Sequence, residues 1–118
     1  MNDRELLELA ARAAGYMINK KFQSERDSIV GHATADLCIF GGCTSWNSLK
    51  EDRHALRLAV TLGLVVTPDR ENQRTLVSNQ AGHEYCAIYW DKLGEMAATR
   101  LAITEAAAEI GKSMGGGE

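Results

Sequence analysis

Lys50, Arg53, His54 and Arg57 stand at i, i+3, i+4 and i+7 within "SWNSLKEDRHALRLAVTLGL". On a helix, that spacing gathers basic groups on one face. Such a face suits an anion or an acidic partner. The four residues also begin at the helix N-terminus, where unpaired N–H groups and the macrodipole attract negative charge. Trp46 and Asn47 flank the start of the stripe and could supply a stacking surface and an amide. The competing use of the face is a solvated surface, partly neutralised by Glu51 and Asp52. Trp46 is read first as a plug over one end of the core, because an indole buries a large area. Trp90 shares a strand face with Ile88 and Cys86 and is expected in the core.

Metal chemistry is the second possibility. Cys38 and Cys43 are separated by four residues, and His83 and Cys86 by two, giving a Cys3His set. Tetrahedral zinc accepts those ligands, although structural sites usually hold each pair in a tighter knuckle. Cys38 and Cys86 lie in apolar stretches, where a thiol behaves as a small hydrophobe. Buried free cysteines with a surface histidine are therefore expected, and a zinc-supported structural module is the alternative. His32 has no partner pattern and is read as a satisfied polar residue. Glu105 and Glu109, four apart, form a like-charge pair on a solvent face. The chain contains no phosphate loop, dinucleotide fingerprint, zinc-protease motif, nucleophile elbow or C-x-x-C. No catalytic residue, metal or cofactor is assigned, and an enzyme is not expected.

The bulk properties set the frame for these residues. A chain of 118 residues, 45% hydrophobic and 25% charged, has the composition of one globular domain. A net charge of -3 disfavours general nucleic-acid coating, which needs many cations to displace counterions. The acidic start "MNDRELLELAARAAG" is no secretory signal. "LRLAVTLGLVV" is too short to span a bilayer. A cytoplasmic protein with no membrane partner is expected, and an odd number of cysteines fits reduced thiols.

Periodicity places the elements. A helix over 3–14 should be capped by Asp3, bury Leu6, Leu9, Ala10 and Ala13, and stop at Gly15. "YMINKKF" reads as a half-buried strand, "QSERDS" as a polar turn, and 35–40 as a strand closed by Gly41 and Gly42. Ser48 and Glu51 form an S-x-x-E capping box for the central helix. Leu49, Leu56, Ala59, Val60 and Gly63 should line its inner face, with Gly63 as a left-handed stop. "LVVT", "RTLVS" and "HEYCAIYW" make an antiparallel meander. A last helix over 94–112 should bury Met96, Ala102, Ile103, Ala106, Ala107 and Ile110. The expected fold is α+β: an α/β/α-type sandwich with a largely antiparallel sheet of about five strands and three helices. Residues 1–112 form one domain and 113–118 a flexible tail. An unpaired meander edge or the last helix could support a homodimer.

Two blocks resemble the small phage and prophage proteins of the phage ABA-sandwich kind. The first runs through Trp46, Asn47, Asp52, Ala55, Leu56, Leu58, Ala59 and Leu62, with Ser48 where proline is usual. The second runs through Ala98, Arg100, Ala102, Ile103, Ala106 and Ala107, and "ELLELAARAAG" is similar too. The resemblance implies an α/β/α sandwich encoded by a phage or prophage, and it carries over no catalytic residue. The expected function is non-catalytic binding to a host bacterial protein in the host cytoplasm, inhibiting a defence system in an anti-CRISPR-like manner. The alternative is sequestration of an anionic small molecule, such as a signalling nucleotide, by Trp46, Asn47, Lys50, Arg53, His54 and Arg57.

Overall fold

The computed structural model describes residues 1–31, 34–39 and 44–115. The first helix, α1 (Asp3–Ala13), is capped by Asn2 rather than Asp3: Asn2 Oδ1 accepts the Glu5 N–H at 2.8 Å. Its buried residues are Leu7, Ala10 and Ala11, whereas Leu6, Leu9 and Ala13 are half-buried. The inner face is rotated from the expected stripe.

The second helix, α2 (Lys20–Val30), replaces the expected strand over 16–22 and the turn that followed. Asn19 Oδ1 caps it by accepting the Phe22 N–H at 3.1 Å. Among the described residues, what remains of that strand is a bridge from Ile18 to Ile39 and the Asn19 N–H donating to the Cys38 carbonyl at 2.9 Å. Sequence periodicity could not reveal α2, because its one buried side chain is Gln23 while Ile29 is 83% exposed. Polar contacts hold it instead. Gln23 Oε1 accepts the Cys38 N–H at 2.7 Å, and Gln23 Nε2 donates to the Asp36 carbonyl at 3.2 Å. Arg4 grips Asp27 with two bonds of 3.1 Å. Replacing Gln23 with leucine leaves a buried backbone donor unpaired, so a loss of about 1–3 kcal/mol is expected. Urea unfolding followed by helical circular dichroism measures it, and an unchanged midpoint would overturn the latch.

A short hairpin follows, β1 (Leu37–Ile39) paired antiparallel with β2 (Thr44–Trp46), Leu37 opposite Trp46. All three residues of β1 are buried. The expected closure of this strand by Gly41 and Gly42 lies outside the described residues. "TSW" is too short and polar for alternation to have marked β2.

The central helix is α3 (Asp52–Leu62). Its N-cap, Glu51, makes no side-chain cap bond, so the expected capping box does not form. Ser48 is fully buried, and its hydroxyl pairs with Thr104 Oγ1 at 2.7 Å. Gly63 does provide the left-handed stop, at φ 65°. The inner face consists of Ala55, Leu58 and Ala59, while Leu56 and Val60, expected inside, face solvent.

The meander matches its expectation. β3 (Val65–Asp69), β4 (Arg74–Ser78) and β5 (Glu84–Tyr89) form an antiparallel sheet in the order β3-β4-β5. Pro68 is tolerated because β3 is an edge. Trp90, just beyond β5, is buried as expected, and its Nε1 donates to the buried Thr75 hydroxyl at 2.9 Å.

The last helix, α4 (Glu95–Gly115), extends through 113–115, which were expected to fray; 116–118 lie outside the described residues. It packs against α1, α3 and the β4–β5 face of the meander. Ala98, Ala102, Ile103, Thr104, Ala106, Ala107 and Ala108 are all buried, while Met96 is exposed and Ile110 half-buried. A helix covered on several sides carries small residues all round rather than one stripe.

The described residues thus comprise four helices and five antiparallel strands in an α+β fold. The additional helix is α2, and the strands form two sheets rather than one. Among the described residues, no helix is long and apolar enough to cross a membrane.

Candidate functional site

The basic stripe is only partly a site. Asp52 and Glu51 occupy the start of α3, and Asp52 accepts from Arg100 Nη1 at 2.6 Å. The helix N-terminus therefore already has carboxylates close by. Lys50 is exposed on the turn before the helix and does not line the cleft described next.

One turn further on, Arg53, His54 and Arg57 line a cleft of about 270 Å³ with Tyr16, Ile39, Ser45 and Trp46. Trp46 is 3% exposed, so it supports the site from below and does not present a stacking face. Tyr16 meets it edge-on at 5.6 Å between ring centres, and His54 lies across it at 6.2 Å and 27°. Asn47 is buried as well. Its N–H donates to His54 Nδ1 at 3.0 Å, its Nδ2 donates to Asp36 at 2.7 Å, and its Oδ1 accepts the Leu49 N–H at 3.0 Å. Trp46 and Asn47 thus position the site, while the exposed groups at its mouth are Arg53 and Arg57. Arg53 Nε lies 3.8 Å from Glu51, a loose surface pair of little energetic weight.

Asp36 holds the hairpin side of the cleft together. Its carboxylate accepts from Thr34, Ser45, Asn47 and Arg26 at 2.7–3.2 Å. Burial pushes this carboxyl up, but the hydrogen bonds from Asn47, Thr34, Ser45 and Arg26 outweigh it and bring it down to about 2. Sequence reading passed over Asp36, Tyr16, Ile39 and Ser45. Nothing local marks them, because only the α1–α2 link and the hairpin bring them to α3.

Among the described residues the Cys3His set does not come together. Cys38 is disulfide-bonded, which corrects the expectation of three reduced thiols; an odd count excludes only complete pairing. Cys86 is a free thiol that donates to the Ala102 carbonyl at 3.3 Å. Burial, reinforced by Glu105 and Glu84, pushes this thiol up to about 12, far from a reactive thiolate. His83 packs edge-on against Tyr85 at 5.0 Å. Among the described residues no three His, Cys, Asp or Glu side chains come together as a metal site. Cys43 and His32 lie outside the described residues. Glu105 is half-buried rather than on an open solvent face, and burial together with Glu109 raises its carboxyl.

A second cavity, of about 340 Å³ and almost wholly apolar, opens on the other side of α3, against β3 and α4. Arg53 lines both cavities. Comparison with known protein families, curated proteins and solved structures finds no match to this chain.

Proposed function

We propose that this chain is a non-enzymatic binding protein that engages a host bacterial protein through α3, with an anionic group of that partner held by Arg53, Arg57 and His54. The observation that carries this reading is the convergence of those three side chains on one small cleft with a rigid aromatic base. At about 270 Å³ the cleft falls below the ~300–1,000 Å³ that encloses a whole drug-sized ligand. It suits one protruding carboxylate or phosphate better than an entire dinucleotide. The Ser45 hydroxyl on its wall is already bonded to Asp36 and Arg26, which supports binding over nucleophilic chemistry. The resemblance to phage ABA-sandwich proteins supports a host partner, with interference in a defence system as the outcome.

The test is affinity capture from a bacterial lysate at low salt, comparing the wild-type chain with an Arg53→Glu/Arg57→Glu variant. Both positions are exposed, so the variant should fold. One protein retained by the wild type and lost by the variant is expected. Equal retention by both, or no enriched protein, overturns the reading. A nucleotide that raises the melting temperature of the wild type alone would replace the host protein with a small molecule.

A further inference from the structure

We infer that the apolar cavity beside α3 is a docking groove for an acidic amphipathic helix of a partner protein. This rests on the binding role proposed above and names the chemistry of the partner segment.

The exposed stripe of α3 is Arg53, Leu56, Arg57 and Val60, at i, i+3, i+4 and i+7. Leu56 is 65% exposed and Val60 73%, and Met96 at the start of α4 is 58% exposed. Methionine and arginine are enriched at interfaces over ordinary lysine- and glutamate-rich surface, and the exposed Leu56 and Val60 extend an apolar patch beside them. Between α3 and α4, the groove walls are formed by Ala59, Val66, Met96 and Ile103, which offer no polar group to a ligand. Its apolar depth calls for an aliphatic or aromatic anchor.

Charge selects what flanks that anchor. Asp52, the carboxylate on the groove, is neutralised by Arg100. Arg53, the other arginine on the groove, has only the loose Glu51 contact. With Asp52 paired to Arg100, the charged lining is left positive at Arg53, complementary to an aspartate or glutamate beside the anchor. A second copy of this chain fits less well, since a two-fold contact brings the same arginine-bearing patch to both sides. An added strand fits poorly too. Val66 brings β3 to the groove, but Pro68 removes a backbone donor from that edge. A helix needs no backbone donors from its host, and it presents anchors at the same spacing as the α3 stripe.

The experiment uses a fluorescent peptide of about four helical turns, leucines on one face and glutamates beside them, and a counterpart with lysines replacing the glutamates. The glutamate peptide should bind the full chain at least about tenfold more tightly than the lysine peptide. Its binding should shift the NMR signals of Val66, Met96 and Ile103. Leu56→Asp should abolish binding at an unchanged melting temperature, because Leu56 contributes little to the core. Equal affinity for the two peptides, shifts confined to other surfaces, or a self-association that Leu56→Asp disperses would each overturn the inference. If peptide binding fails while arginine-dependent capture of a host protein persists, the groove is wrong and the binding role stands.

Discussion

Gly111→Ala will lower the stability of this protein by about 1–2 kcal/mol net, although alanine is the better helix former. Gly111 is buried in α4 where that helix crosses α1. A Cβ added there would fall on the carbonyl oxygen of Leu9 and within 2.9 Å of its carbonyl carbon. A backbone carbonyl inside α1 cannot rotate aside as a side chain would, so the two helices must separate. Overpacking of this kind costs about 1–3 kcal/mol and sometimes more. Helix propensity acts in the opposite direction, with alanine favoured over glycine by about 1 kcal/mol. The sign of the measured change therefore decides between tertiary contact and local propensity. A melting temperature reduced by roughly 4–8 °C and an earlier urea midpoint are expected. A neutral or stabilised variant would mean that α1 and α4 do not approach closely at Gly111. Because Leu7, Ala10 and Ala11 pack on this side of α1, the damage should include loss of α1 from the cooperative unit.

Asp36→Asn is expected to cost at most about 2 kcal/mol at neutral pH and almost nothing in strong acid. The folded protein holds the Asp36 carboxyl at about 2, below its usual 3.8. Between those values the unfolded chain binds the extra proton and the folded protein does not. The stabilisation is therefore complete above about pH 4 and disappears as the pH falls through about 2. The wild type should lose stability steeply across that window, whereas the Asp36→Asn variant should show a flatter profile there. Melting temperatures recorded from pH 7 to about 2 test both statements, and parallel profiles would remove Asp36 as the acid-sensitive group. The same substitution should weaken whatever binds the cleft, since Asp36 tethers both Ser45 and Asn47 beneath Arg53 and Arg57. Arg26 makes the effect larger than loss of one hydrogen bond, because its side chain is only 23% exposed and its guanidinium lies 3.2 Å from the carboxylate.

These two residues show where sequence reading ends. Gly111 lies in a helix that could be read from its alanine periodicity, yet nothing in "AEIGK" shows that Leu9 lies against it. Asp36 sits in a short polar run before a strand, where an aspartate is unremarkable. Its importance comes from donors on α2, the hairpin and the turn before α3. In the cleft, the spacing of Arg53, His54 and Arg57 correctly put them together on one helix. It could not show that Trp46 and Asn47 are buried supports, that Lys50 stands apart, or that Tyr16 completes the wall.

The residues by themselves determined the α+β class, most of α1, α3, α4, β1 and the three-stranded meander, and the Gly63 stop. Each of these follows from local signals: apolar spacing, turn chemistry and a glycine free to adopt positive φ. Tertiary structure alone decided the rest. Helix α2 exists because Gln23 and Asp27 find partners far along the chain, and polar latches leave no periodic trace. Ser48 abandons its capping box because Thr104, 56 residues away, offers a buried hydroxyl. Leu56 and Val60 are exposed because α4 covers the Ala55–Ala59 side of α3. A helix face is buried by the neighbour that reaches it, and local sequence does not say which neighbour that will be.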